Sequence, residues 1–503
     1  MKKGRVVAIG IDGGEFSVLK RMIGKGLMPN LDSIMKTGCA KDIDTSVKGH
    51  GQGWASFITG KSPEKHGVFY WNLYARLVNS GSFKDKVLWE ILGEQGIRSC
   101  VINMSYTYPP KPFNGYMISG LGSGLNASDK LELSYPEGLL EEVKSSAGDY
   151  IPACDYKEGT TDDHLRLIEK IIRMTEYRTK ACLYIMEKHS PEFVLNVFRG
   201  ADLIQHCYWN LLEPGFKVSE GNRPLQSLIE SYYRKLDGCI ARIFAQYHDS
   251  TNIIVSDHGF GPVKAIVHLN HYLAERGFLS RLHEGGGRSV ATPYRLGRSA
   301  LKFIYRNALA NYGFFRRLNR IRTEMNGMDL PVDKRKTLAS SDVLFGVNLN
   351  RQSPFLKNPE KVKRDIIKCL RDFRDPRTND KVIEKAYLKE NSHAMNVKGA
   401  PEIIFESNES YIVSSDMPPG DDRIFRYMDA EETSFFTGGH RRSGIFIMNG
   451  KDTAGTAMKR DINITDVFAT ILDIFNIAIP HGVDGRPILK SRGRSSGTRA
   501  VNF

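Results

Sequence analysis

The sequence predicts an α/β fold built on a central, mostly parallel sheet, and three observations predict it. First, short and wholly apolar runs end in polar turns: RVVAIGID (5 to 12), EFVLNVF and NIIVSDHG. Strands covered on both faces read as continuous apolar runs, not as alternating ones. Second, stretches with helical spacing separate these runs. FSVLKRMIGKG follows the first, VLWEILGEQGI (87 to 97) precedes RSCVINM, and ACLYIMEKH (181 to 189) precedes EFVLNVF. The strongly periodic SYYRKLDGCIARIFAQY (231 to 247) leads into NIIVSDHG. Third, strand and helix alternate, which places helices on both faces of a parallel sheet.

The organisation changes along the chain. Residues 1–262 read as the first part of the α/β core, 263–394 as a cap inserted into it, 395–490 as the second part of the core, and 491–503 as a basic, polar tail of disordered composition. Within the cap, Arg295, Arg298, Lys302 and Arg306 are spaced to share one helix face, with Leu301, Ile304, Tyr305 and Leu309 on the other. That face is either solvated or a patch for an anionic substrate or a membrane surface. The stretch from about 354 to 394 reads as charged helix and loop. APEIIFES (400 to 407) and SGIFIMNG (443 to 450) read as strands, and DVFATILDIFNIAIP (466 to 480) as a terminal helix.

Bulk composition sets the class. With 503 residues, 41% hydrophobic and 25% charged, the chain is long enough and apolar enough to bury a large core. No apolar run approaches the roughly 20 residues of a membrane span, and the start, MKKGRVVAIGID, lacks the pattern of a signal peptide. The expected location is the cytoplasm. The seven cysteines, Cys39, Cys100, Cys154, Cys182, Cys207, Cys239 and Cys369, are scattered and form no CxxC pair, which reads as reduced thiols. A net charge of +14 favours anionic partners: phosphorylated substrates, nucleic acid or acidic lipid.

Four places gather metal-type ligands. Asp12 ends the first strand. Asp202 and His206 follow EFVLNVF at a spacing of four, which puts both on one side of a helical turn. Asp257 and His258 end NIIVSDHG, and His440 sits in TGGHRRSG just before a strand. Carboxylates and imidazoles are the usual ligands of zinc and similar divalent ions, and open α/β sheets place their sites at the carboxyl ends of strands. Three carboxylates and three histidines suffice for two ions, which can bind the oxygens of a phosphoryl group.

These residues, in this order, resemble the alkaline phosphatase superfamily, and within it the type I phosphodiesterase/nucleotide pyrophosphatase family. The likeness runs through IGIDGGEF, GLMPNLDSIMKTG, GWASFITGKSPEKHGVFYW, ADLIQHCYW, SDHGFGP, HLNHYLAERGFL, GGHRRSGIF and DVFATILDIFNIAIPHGVDGRPIL. It implies an alkaline-phosphatase-like three-layer sandwich with an inserted cap that selects substrate. It implies one divalent ion on Asp202, His206 and His440 and another on Asp12, Asp257 and His258. Zinc leads, with manganese or iron as alternatives. The implied reaction is hydrolysis or phosphoryl/nucleotidyl transfer at a phosphodiester or pyrophosphate bond of an anionic, nucleotide-like substrate. Lys48 and Arg441 are candidates for offsetting substrate charge. A sulfatase would need a Cys or Ser ahead of a Pro-x-Arg motif, which CAKDI does not supply. A phosphoglycerate mutase would carry a serine nucleophile and a different insertion.

The departure is at the nucleophile. The family's Thr or Ser lies nine residues before the Thr of the TG pair; here that Thr is Thr59, and the counterpart is His50, flanked by Gly49 and Gly51. Four accounts are open. His50 attacks phosphorus itself; His50 is a ligand or acid/base while a metal-bound hydroxide attacks; Ser46 or Thr45 reaches the metals; or the protein binds a phosphorylated ligand, nucleic acid or acidic membrane without turnover. The last predicts salt-sensitive binding that survives metal removal.

Overall fold

A computed structural model describes residues 4–45, 52–68, 72–73, 76–120, 133–151, 160–281, 332–343, 346–391, 400–418, 422–428, 437–450, 453 and 460–488. The 46–51 segment with Ser46, Lys48 and His50, the basic stretch around 295–322, Cys154 and the 491–503 tail lie outside these residues.

The chain divides into two compact units, one of Met1–Leu125, Glu132–Pro262 and Thr433–Phe503, the other of Asn126–Leu131 and Val263–Glu432. The return to the first unit therefore comes at 433 and not at 395. APEIIFES forms a strand as expected, but it is a strand of the second unit's own sheet.

The first unit holds a nine-stranded sheet. Its order is Ile462–Asn463, Cys39–Asp44, Ser443–Asn449, Ser250–Val255, Arg5–Ile11, Phe193–Phe198, Ser99–Ile102, Gly115–Ile118, Ser134–Tyr135. The five strands from Ser250–Val255 to Gly115–Ile118 pair in parallel. Ser443–Asn449 runs antiparallel to both its neighbours, a direction that an apolar run does not encode. The central strand Arg5–Ile11 is buried from Val6 onward. Its odd and even side chains enter two separate apolar clusters, Val7, Ile9 and Ile11 in one and Val6 and Ala8 in the other. Both sheet faces are thus covered, which is why the run is continuous.

The helix Gln52–Thr59 is buried along its whole length and lies in one of these layers. It is followed by the short helix Pro63–His66, ended by Gly67 at φ +74°. His66 is partly buried there. Its Nδ1 accepts from the Val68 N–H (3.0 Å), so in the neutral ring Nε2–H donates to Ser56 Oγ (3.1 Å). Burial lowers its pKa to about 4, against the opposing charges of Glu64 and Asp484. The unfolded chain binds this proton near pH 6.5, so it holds more protons than the fold between that value and about 4. Stability from this group is full above pH 6.5 and is lost as pH falls, by up to ~3 kcal/mol. His66→Gln is expected to flatten that part of the acid limb, read as the difference between wild-type and variant melting temperatures at pH 7 and pH 5.

The second unit has its own core. A four-stranded antiparallel sheet runs Ala339–Val343, Gly346–Leu349, Ile403–Ser407, Ile383–Leu388, and a three-stranded one runs Tyr411–Ser414, Ala265–His268, Phe425–Tyr427. The stretch read as charged helix and loop holds the helix Pro359–Arg371 and then the strand Ile383–Leu388. The six described cysteines are free thiols. Among the described residues no helix is long and apolar enough to cross a membrane.

Candidate metal centre

Three parallel strands deliver the site. Arg5–Ile11, Phe193–Phe198 and Ser250–Val255 lie side by side, so the residues just past their carboxyl ends meet. Asp12 follows the first strand, and the chain then turns through Gly13 at φ +67°, where a Cβ would also press on the Phe260 ring. The second strand passes through Arg199 into the helix Gly200–Leu212, which carries Asp202 and His206 on adjacent turns. The third strand ends at Val255 and is followed by Ser256, Asp257 and His258. His440 comes from Gly438–Arg441, paired antiparallel with Gly259–Pro262, which sets Phe260 opposite His440.

All six candidate ligands converge, and all but His440, which is slightly exposed, are buried. Ligand atoms of Asp12, Asp257 and His258 lie within 4.8 Å of one another, and so do those of Asp202, His258 and His440. His258 Nε2 is 3.5 Å from Asp12 Oδ1, 3.6 Å from Asp257 Oδ2 and 3.9 Å from Asp202 Oδ1. Asp202 Oδ1 is 3.3 Å from Nε2 of both His206 and His440, and those two nitrogens are 2.8 Å apart. His206 therefore shares the Asp202–His440 corner, and His258 stands between the two groups.

Ring orientation is set from behind. His206 Nδ1–H donates to the Gly438 carbonyl (3.3 Å) and His258 Nδ1–H to the Gly259 carbonyl (3.1 Å), so each turns Nε2 toward the carboxylates. Second partners of this kind orient metal-binding histidines. The His258 and His440 rings stack at 3.6 Å between centroids, and Phe260 meets His206 edge-on at 4.7 Å.

The electrostatics are those of an acidic pocket short of positive charge. Burial, then the Asp12 carboxylate, push Asp257 well above the usual carboxylate range. Burial acts the same way on Asp202, but the imidazoles of His206 and His440 and the Arg199 guanidinium outweigh it and hold this acid well below that range. Burial disfavours charge on His258, yet Asp257, Asp12 and Asp202 overcome it and raise its pKa to about 10. A buried imidazole that takes up a proton to balance carboxylates stands where a cation would serve. The donor set, three carboxylates and three imidazoles with Nε2 turned inward, fits divalent ions such as zinc.

Other expected groups are committed elsewhere. Thr45 Oγ1 donates to the Arg442 carbonyl (2.7 Å). The Arg441 guanidinium donates to the carbonyls of Gly439 (3.2 Å), His440 (3.1 Å) and Pro262, bracing the strand pair that carries His440. Three residues that spacing did not single out belong to the site. Trp54 donates its indole N–H to Asp12 Oδ2 (3.2 Å), Arg199 pairs with Asp12 and Asp202, and Phe260 wedges the histidine rings. Trp54 and Arg199 stand inside or beside the motifs GWASFITG and ADLIQHC, but nothing in a one-dimensional pattern points their side chains at Asp12.

The backbone is similar to that of phosphonoacetate hydrolase from Sinorhizobium meliloti 1021, at 14% identity over 95% of this chain and 96% of that one, with a TM-score of 0.52. It is similar to the alkaline phosphatase PafA at 11% identity over 97% and 99%, with a TM-score of 0.53. These likenesses establish an alkaline-phosphatase-like fold. A comparison with curated proteins finds no match. The sequence profile described as Type I phosphodiesterase / nucleotide pyrophosphatase matches residues 6–425, a span with five of the six converging acids and histidines and all but His440. With most of its length matched in this way, the chain belongs to the type I phosphodiesterase/nucleotide pyrophosphatase family.

Proposed function

We propose that the protein is a metal-dependent hydrolase or transferase acting on a phosphodiester or pyrophosphate bond of an anionic, nucleotide-like substrate. The observation that carries this reading is the convergence of Asp12, Asp202, His206, Asp257, His258 and His440 at the carboxyl ends of three adjacent strands. Asp12, Asp257 and His258 would hold one divalent ion and Asp202, His206 and His440 the other, with zinc favoured by the donor set and manganese or iron as alternatives. Such ions, when bound, polarise phosphoryl oxygens and ease deprotonation of the attacking group.

The chain's own part is to keep the carboxylates fixed and the imidazoles turned inward, so that little reorganisation accompanies reaction. His50, at the family's nucleophile position, supplies the imidazole that attacks phosphorus or moves the proton. Thr45 is a poor third choice, because its hydroxyl is bound to Arg442.

The test is metal analysis together with hydrolysis of bis(p-nitrophenyl) phosphate by wild type, His50→Ala and Ser46→Ala. Wild-type activity is expected to vanish with chelator and return with zinc or manganese. His50→Ala is expected to lose on the order of 10²–10⁴-fold, the scale of a positioned acid–base group. Full activity in His50→Ala with loss in Ser46→Ala would assign the attack to the serine. A wild type that takes up no metal would end the reading.

A further inference from the structure

Each of the two carboxylates Asp12 and Asp202 presents its two oxygens to different partners. Oδ1 faces the imidazoles: Asp12 Oδ1 toward His258 (3.5 Å), and Asp202 Oδ1 toward His206 and His440 (3.3 Å each). Oδ2 faces Arg199. Its Nε lies 3.5 Å from Asp12 Oδ2 and its Nη2 3.3 Å from Asp202 Oδ2. The guanidinium thus spans the acids assigned above to different ions, from the side away from the histidines. It is only 16% exposed, and its place follows from the chain: it is the last residue before the helix Gly200–Leu212, one helical turn ahead of Asp202.

We propose that Arg199 is a built-in counter-ion that stabilises the carboxylate cluster before metal arrives and weakens the hold on the metal afterwards. This rests on the reading of Asp12 and Asp202 as metal ligands. Arginine stays charged at every relevant pH and its fork reaches two acids at once. Without ions, Arg199 faces the buried carboxylates of Asp12 and Asp202, and the attraction is strong at low effective dielectric. Two divalent ions more than neutralise those carboxylates, so most of the attraction disappears on binding. Whatever Arg199 adds to the metal-free fold and not to the loaded one is subtracted from metal affinity, because the two couplings are reciprocal. A residue that merely oriented the ligands would have the opposite effect, since losing such a partner weakens metal binding.

The experiment compares full-length wild type, Arg199→Gln and Arg199→Lys, each stripped with chelator and titrated with zinc or manganese against a chromophoric chelator. Thermal unfolding of stripped and loaded forms is the second readout. Stripped Arg199→Gln is expected to melt lower than stripped wild type, while its metal Kd is tighter, on the order of tenfold. Arg199→Lys keeps the charge but cannot span both acids, and should move in the same direction by a smaller factor. It carries the test if Arg199→Gln does not survive stripping. Unchanged or weaker metal binding in either variant, or an unchanged melting temperature in stripped Arg199→Gln, overturns the proposal. A wild type that takes up no ion overturns the metal-centre reading itself, and the wild-type titration shows this before any variant is measured.

Discussion

Asp257→Asn is expected to abolish metal-dependent hydrolysis while making the metal-free protein more stable. The side chain is buried, and the neighbouring Asp12 charge adds to burial in disfavouring its ionised form. Asparagine keeps the volume and removes one of three crowded carboxylates. The chelated variant should therefore gain about 1–4 kcal/mol, the scale on which an undercompensated buried charge acts. On the proposed reading the same change removes a ligand from the Asp12–Asp257–His258 group, so bound metal should fall toward one ion per chain and activity by at least ~10²–10³-fold. The opposed signs are the point of the experiment. A merely structural Asp257 would lose stability and activity together, whereas a ligand kept at the expense of the fold gains the first as it loses the second. Melting temperature in chelator, metal-to-protein ratio by mass spectrometry and turnover of a chromogenic diester check the three parts.

Gly53→Ala is expected to damage the site without touching any ligand. The start of the helix Gln52–Thr59 rests directly on Asp257: a Cβ at Gly53 would overlap the Asp257 carbonyl oxygen and lie 2.8 Å from both its carbonyl carbon and its Cβ. These are mainly backbone atoms, so the helix itself must move. The next residue is Trp54, whose indole N–H holds Asp12 Oδ2, so the shift reaches two candidate ligands together. Overpacking of this kind costs about 1–3 kcal/mol, and a displacement near 1 Å at a reacting centre costs roughly 10² in rate. Gly238→Ala is the control. It lies inside the helix Arg223–Ala245 with nothing within 4 Å of its Cβ, so it should be neutral or stabilising by about 0.5–1 kcal/mol. Equal effects from both substitutions would show that the close approach at Gly53 does not matter.

Much of the fold was legible in the chain because its strands are buried on both faces. RVVAIGI, FVLNVF and NIIV are continuous apolar runs, and the structure sets them side by side in parallel. Asp12, Asp257 and His258 were legible for a related reason: a polar residue just after such a run stands at a strand's carboxyl end. Direction and boundary were not legible. SGIFIMNG has the same texture as the parallel strands, yet it pairs antiparallel on both sides. APEIIFES reads as a core strand because apolar periodicity does not say which sheet a strand joins.

By itself the sequence determined the α/β class and the family and marked the six acids and histidines as candidate ligands, since these are properties of residue type, order and spacing. The tertiary structure alone decided that His258 stands between the two ligand groups, that Arg199 and Trp54 hold the outer oxygens of the carboxylates, and that Gly53 lies against Asp257. Those facts depend on side-chain direction and on contacts that join segments from a few to more than two hundred residues apart. Such contacts follow from how the strands are ordered in the sheet, and no local pattern of the chain encodes that order.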